Sequence, residues 1–322
     1  MKIGNLKSHT TFFDKARFKH PEFSNAIKGV KELIKCGGTI PVVTCLIGPS
    51  RVGKSVVIEQ IYEKYGINPN LEEQAIVAIK IIAKSTPKMV VESLIEAMGV
   101  KPKDNLNRLR TQLIFLAKKK GVRLFIIDEI QHGMPQHQDS GKGTQLIADI
   151  LKLISDDTNA SILLVGLENT PEILQNAFKK RNSFDNSQEK QMIGRSFPPM
   201  HIPRIKLTQK KRLMNIMKGY QRLFDLLKQK FGITFPDVTD EVLALRLWIA
   251  CRGYFGRLRF LFDFSIEAVD INGEVTLQIL EKTYDKVMSE KAAENPFACE
   301  PSQLPRIART VEHLEALDAE GK

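Results

Sequence analysis

The chain has 322 residues, 43% apolar and 26% charged, enough to bury one large core or two modest ones and unlike a disordered polypeptide. Its apolar runs fall far short of the roughly 20 residues that cross a bilayer, and residues 1–20 carry charge throughout without an apolar core. A membrane span and a secretory leader are therefore not expected, and the chain reads as cytoplasmic. The net charge of +11 favours an anionic partner, nucleic acid first.

A helix is predicted from Pro21, since proline suits a first helical position and Phe23, Ile27, Val30, Leu33 and Ile34 share a face before Gly37 and Gly38. Residues 41–47 (PVVTCLI) read as a buried strand, followed by a glycine-bearing loop and a helix over 52–65. A second strand is predicted at 75–83, a helix opened by Ser85-Thr86-Pro87 and ending near Gly99, and another helix over 106–120. Strands follow at 123–127 and 161–165, separated by a polar stretch over 132–143 and a helix to about Ser155. The alternation predicts an α/β fold with a parallel sheet covered on both faces, and the 123–127 strand is expected beside the 41–47 strand. From Lys206 the pattern is helical only, over 209–231, 240–250, 256–269 and 277–290. Beyond Asn295-Pro296 large apolar residues are few and the last residues turn acidic, which reads as a tail. The expected division is an extension over 1–20, a core over 21–205, a helical lid over 206–290 and a tail over 291–322.

Gly48-Pro49-Ser50-Arg51-Val52-Gly53-Lys54-Ser55 fits G-x-x-x-x-G-K-[ST] between a predicted strand and a predicted helix. Glycines let backbone N–H groups curl around phosphates, the helix start through Val56 adds its dipole, Lys54 reaches the outer phosphates and the Ser55 hydroxyl ligates magnesium. ATP and Mg2+ are the implied cofactors. Leu124-Phe-Ile-Ile-Asp128-Glu129 is an apolar strand ending in two carboxylates: Asp128 faces the metal and Glu129 deprotonates water, which means hydrolysis rather than transfer. The 161–165 strand ends in Gly166-Leu-Glu168-Asn169-Thr170, where Asn169 either holds the water or caps the helix opened by Pro171. The four cysteines, Cys36, Cys45, Cys251 and Cys299, are too scattered for a zinc or redox motif, and His132, His137 and His201 make no metal-ligand spacing with them.

Together a P-loop, an Asp-Glu strand end, a polar fourth-strand end and a helical lid resemble the AAA+ ATPases. His20-Pro21-Glu22-Phe23, IIDEIQH, ILLVGLENT and Gly194-Arg195-Ser-Phe narrow this to a resemblance to the TniB/TnsC transposition regulators, over about residues 18–290. The resemblance implies assembly on double-stranded DNA with itself, as a ring or helical filament of six or seven subunits, and recruitment of transposase to a target chosen with a target-selection factor. It implies that Arg195 reaches a neighbour's γ-phosphate, with Arg181 the rival. It also implies that Arg257, in Gly253-Tyr-Phe-Gly256-Arg257-Leu-Arg259, touches nucleotide from the same subunit, with Arg259 the fallback. The loop over 132–143 is longer and more polar than the family pattern.

Between Lys101 and Arg123 stand Lys101, Lys103, Arg108, Arg110, Lys118, Lys119, Lys120 and Arg123 against the acid Asp104. If these line a ring, Lys101, Lys103 and Lys119 track phosphates without reading sequence, and Lys84 and Lys88 flank a loop that points inward. A solvated helix face is the open alternative for all of them. No carboxylate set for strand transfer stands outside the ATPase motifs, so the chain is not expected to cut DNA. A helicase loader or replication initiator shares every ATPase element, although the residues after Glu290 are too few for an initiator's further DNA-binding domain. A signalling ATPase whose basic surface meets an acidic protein is the third reading.

Overall fold

A computed structural model describes residues 21–66, 73–83, 85–133, 157–171, 197–288 and 294–319, with Phe12, Leu151 and Ile154. It divides into two units, residues 21–202 and residues 203–322 with 1–20.

In the first unit, β1 (Val43–Ile47), β2 (Ile76–Lys80), β3 (Leu124–Asp128), β4 (Ser161–Gly166) and β5 (Met200–His201) form a parallel sheet in the order β2-β3-β4-β1-β5. The P-loop strand β1 therefore neighbours β4 and β5, not β3 as expected. β4 lies between, in register Val43↔Ile162 on one side and Leu124↔Ser161 on the other. β1, β3 and β4 are all sealed on both faces and mostly apolar, so no side-chain pattern distinguishes their neighbours.

Alternate strand residues serve opposite layers. Val43, Cys45, Val77, Ile79, Phe125, Ile127, Ile162 and Leu164 pack with α3 (Pro87–Ala97) and α4 (Leu106–Lys119). α1 (Pro21–Cys36) lies against β4 and β5, beside α2 (Lys54–Tyr65), and buries Ala26, Val30 and Leu33. Thr86 and Asn105 cap α3 and α4 by accepting from the backbone N–H groups of Met89 and Arg108. The predicted strand over 75–83 ends early: the Ile81 N–H makes the last bond to β3, on the Asp128 carbonyl, and the Ile82 carbonyl then accepts from the Ser85 N–H and hydroxyl in a turn.

The second unit is helical: α5 (Lys210–Phe231), α6 (Glu241–Cys251), α7 (Phe255–Glu267), α8 (Leu277–Val287) and α9 (Leu304–Ala319). Its core stacks Phe224 on Phe235 at 3.9 Å between ring centroids, sets Phe262 edge-on to both, and buries Trp248, whose Nε1–H bonds the Ile205 carbonyl at 2.9 Å. Phe12 meets Phe231 edge-on.

The expected tail is instead partly a helix of this core. α9 buries Leu304, Ile307 and Ala308, and Glu315 is only 6% exposed. Glu315 accepts from Arg252 at 3.2 Å and from the Tyr254 hydroxyl at 2.6 Å, while Glu312 accepts from Arg204 at 2.9 Å and the Leu207 N–H at 3.4 Å. Burial and the neighbouring Glu315 carboxylate push the Tyr254 phenol up.

With both Arg252 and Glu315 largely buried, removing one partner strands the other charge. Glu315→Ala is expected to cost about 3 kcal/mol in urea unfolding of the chain. Glu315→Gln keeps an acceptor for Tyr254 and should cost clearly less.

Candidate nucleotide site

The sheet's polar groups gather at its carboxyl ends. β1 ends at Ile47, and Gly48 begins the loop with φ 154°, where a Cβ would stand 2.2 Å from the Ile202 carbonyl oxygen. Gly53 closes it with φ 101°, and a Cβ there would stand 2.4 Å from the Phe23 ring. Between them Arg51 adopts φ 64° and Val52 is fully buried. α2 starts at Lys54 without a side-chain cap, so its first N–H groups face outward as an anion-binding terminus. The Lys54 ammonium folds back to donate to the Gly48 and Pro49 carbonyls at 2.7 and 2.8 Å. This glycine cradle, open helix start and lysine fit a phosphate chain.

Asp128 ends β3, and its Oδ1 accepts the Glu129 N–H at 2.8 Å. Glu129 is left-handed at φ 55°, a conformation that costs a non-glycine residue and persists at functional sites. Its Oε1 lies 3.6 Å from Lys80 Nζ at the end of β2, its Oε2 accepts from Gln131 Nε2, and His132 Nε2 stands 3.7 Å from Oε2. Gln131 and His132 belong to the single 3-10 turn Ile130–Gly133.

Burial disfavours both charged forms here. It pulls the Lys54 ammonium below its ordinary value against the opposing pull of Glu129, Asp128 and Glu168. It pushes the Asp128 carboxyl above its ordinary value, reduced by the Glu129 N–H and reinforced by the Glu129 charge. The Ser55 hydroxyl and Asp128 carboxylate are hard oxygen donors of the kind that hold Mg2+ together with water and phosphate oxygens. Among the described residues no group of three His, Cys, Asp or Glu is arranged for a metal.

Asn169 is exposed in the turn after β4, the strand between the P-loop strand and the Asp-Glu strand. Beside it Glu168 meets His201 at 3.0 Å, with Gly166 and His201 flanking Ile47 in register, so this pair spans the end of β1. Nothing in the sequence marks Glu168–His201, Lys80 or Gln131, each an ordinary polar residue at a strand end.

Arg257 lies in the first turn of α7, in the helical unit, and Arg259 pairs with Asp263 at 3.3 Å. Arg195, Arg181, Lys84 and residues 134–143 lie outside the described residues. Lys88 pairs with Glu92 across one turn of α3 at 3.6 Å. Lys101 and Lys103 are exposed ahead of α4, and Lys119 is exposed at its far end. The basic run that is continuous in sequence is thus divided over the length of α4, about 20 Å for its fourteen residues.

Residues 42–174 match the family model of the AAA domain. The ADP form of the ORC2 protein of Aeropyrum pernix is similar at TM-score 0.54 and 13% identity, over 87% of this chain and 71% of that one. A chain in the structure of Drosophila ORC bound to DNA is similar at TM-score 0.51 and 13% identity, over 98% and 80%. A chain of Hsp104 with ATPγS and casein is similar at TM-score 0.50 and 15% identity, over 92% and 49%. No curated protein sequence matches the chain. The fold is that of the AAA+ P-loop NTPases, with a parallel sheet between helical layers and a helical region after it.

Two outcomes follow from the site's backbone and charge. Gly53→Ala should abolish ATP-dependent thermal stabilisation, because neither φ 101° nor the Phe23 ring admits a methyl. Asp128→Asn should raise the melting temperature of the nucleotide-free protein while abolishing stabilisation by Mg-ATP. The sign follows from linkage: a carboxyl whose folded pKa is raised binds its proton more tightly when folded, so its contribution declines as pH rises through that pKa. The melting-temperature gain should therefore be present at pH 7 and shrink on acidification.

Proposed function

We propose that this chain is an ATP-hydrolysing AAA+ regulator of DNA transposition that assembles on duplex DNA in its ATP state and disassembles on hydrolysis. The observation that carries the ATPase part is the arrangement of Lys54 and Asp128–Glu129 at the same sheet edge, on strands separated by β4. Lys54 leaves the Gly48 and Pro49 carbonyls to donate to the β- and γ-phosphates, and the N–H groups of Gly53, Lys54 and Ser55 at the start of α2, ahead of the Val56 N–H that bonds the Gly53 carbonyl, hold the phosphate oxygens. Ser55 and Asp128 would hold Mg2+, which would neutralise charge on those oxygens. Glu129 takes a proton from the water that attacks the γ-phosphorus, the bond to the β–γ bridging oxygen breaks, and ADP and phosphate leave. Asn169, from the intervening strand, orients that water. Arg195 from a neighbouring subunit stabilises the developing charge in trans, and Arg257 contacts the nucleotide in its own subunit.

The transposition part is supported by the resemblance of HPEF, IIDEIQH, ILLVGLENT and GRSF to the TniB/TnsC regulators, whose partners are transposase and a target-selection factor. DNA is the partner favoured by the charge of +11 and by exposed Lys101, Lys103 and Lys119, with Lys84 and Lys88 ahead of them. The helicase-loader or replication-initiator reading is favoured by one specific observation, the fold likeness to ORC chains.

Electron microscopy with duplex DNA and a non-hydrolysable ATP analogue should show ordered assemblies of the wild type and none of Lys54→Ala. Absence of nucleotide-dependent assemblies would overturn the reading. Glu129→Gln should prolong the assemblies while abolishing turnover. Binding of the cognate transposase supports the preferred reading, and binding of a hexameric helicase in its place supports the alternative. Log affinity for duplex should fall linearly with log salt, and replacing Lys101, Lys103 and Lys119 together by Ala should flatten that slope by up to about 3.

A further inference from the structure

We infer that Gln131 is the positioning residue for Glu129, an inference that rests on Glu129 acting as the base in hydrolysis. Glu129 is met by three groups from two elements. Lys80, from the end of β2, is two-thirds exposed and stands 3.6 Å from Oε1, while His132 stands 3.7 Å from Oε2. Both distances exceed a hydrogen bond. Gln131 alone among the three makes one, donating from Nε2 to Glu129 Oε2. The amide's orientation is fixed by chemistry, since the carboxylate accepts and only the NH2 end can donate to it.

That orientation leaves Oε1 with nothing to accept. The atom is buried and has no hydrogen-bond partner among the described residues. It is backed against the end of β4: a methyl group on Gly166 would stand 3.0 Å from it, 2.8 Å from Ile130 Cγ2 and 2.4 Å from Thr170 Oγ1. The amide thus lies in a slot that exists because residue 166 has no side chain. Gly166 is opposite Ile47 in the register, immediately before the P-loop. Packing in the slot fixes the amide and the amide fixes the carboxylate, so Glu129 is aligned with the strand between the nucleotide loop and its own.

A residue that filled this space for packing alone would not retain an open buried acceptor, which is unfavourable and in native proteins calls for a reason. Methionine has a similar length without the donor or the orphaned oxygen. The two roles therefore predict opposite results for one substitution. A packing residue changed to methionine keeps its function, and a tether loses it even as the fold is relieved of the unpaired oxygen.

The test compares steady-state ATP hydrolysis, ATP affinity and melting temperature of the full chain on duplex DNA. Gln131→Met should lower kcat about tenfold or more. It should leave nucleotide affinity within about twofold, with a melting temperature equal to or above wild type. Gln131→Ala should show the same loss of kcat with a lower melting temperature from the space it leaves. Wild-type kcat in Gln131→Met, or a loss that appears only together with weakened affinity and stability, overturns the inference. An active wild type, an inactive Glu129→Gln and an unaffected Gln131→Met overturn it alone. A wild type without turnover, or Glu129→Gln with undiminished turnover, overturns it together with the role of Glu129.

Discussion

The sealing of the central strands on both faces is the constraint from which the rest of the nucleotide unit follows. β1, β3 and β4 carry no charged side chain before their last residues, and the hydroxyls of Thr44 and Ser161 are buried and hydrogen-bonded, so charge is confined to where the strands end. All strands are parallel, so their carboxyl ends share an edge. Lys80, Asp128–Glu129, Glu168–Asn169, Gly48–Lys54 and His201 all stand on it. Crowding there partly desolvates the charges, lowering Lys54 and raising Asp128. A bound anion relieves the first and a bound cation the second, so a metal–nucleotide complex has the charges that this edge favours.

Two of the left-handed non-glycine residues stand on the same edge. Arg51 at φ 64° and Glu129 at φ 55° are non-glycine residues in the left-handed region, one inside the glycine loop and one beside the Asp128 carboxylate. Each is held by its surroundings: Arg51 between the fixed Gly48 and Gly53, Glu129 by its N–H on Asp128 and its carboxylate on Gln131. Local conformational preference is given up where the chemistry needs a particular direction.

The elements that sequence made legible are those whose chemistry restricts residue type. A phosphate loop needs glycine where the chain turns left-handed or passes close to other atoms, and Gly48 and Gly53 occupy those places. Ser85-Thr86-Pro87 marks a helix start in sequence, and Thr86 caps it. Strand order is not legible, because β1, β3 and β4 are alike buried and mostly apolar, and nothing in a one-dimensional pattern says which lies in the middle. β5 pairs through only two residues. α9 was missed because it buries few large apolar side chains and is secured largely through Glu312 and Glu315, residues that read as surface acids. The basic run from Lys101 read as one patch because proximity in sequence was taken for proximity in space. A helix of fourteen residues separates its ends.

That last helix changes what the helical unit is. Glu312 and Glu315 lie one turn apart on α9 and take hold of two segments distant in sequence, Arg204–Leu207 and Arg252–Tyr254. The second is the left-handed turn into α7, with Arg252 at φ 53°, and α7 carries Arg257 three residues beyond Tyr254. The two segments are also bonded to each other, Ile205 N–H to the Gly253 carbonyl at 3.0 Å, and Trp248 holds the Ile205 carbonyl from α6, the helix that leads into the second. The turn into α7 is therefore held from two sides, by Ile205, which the packed indole holds in turn, and by the buried Glu315 carboxylate on α9. A helix whose own apolar content is modest gains its place through charges that only the folded unit brings together.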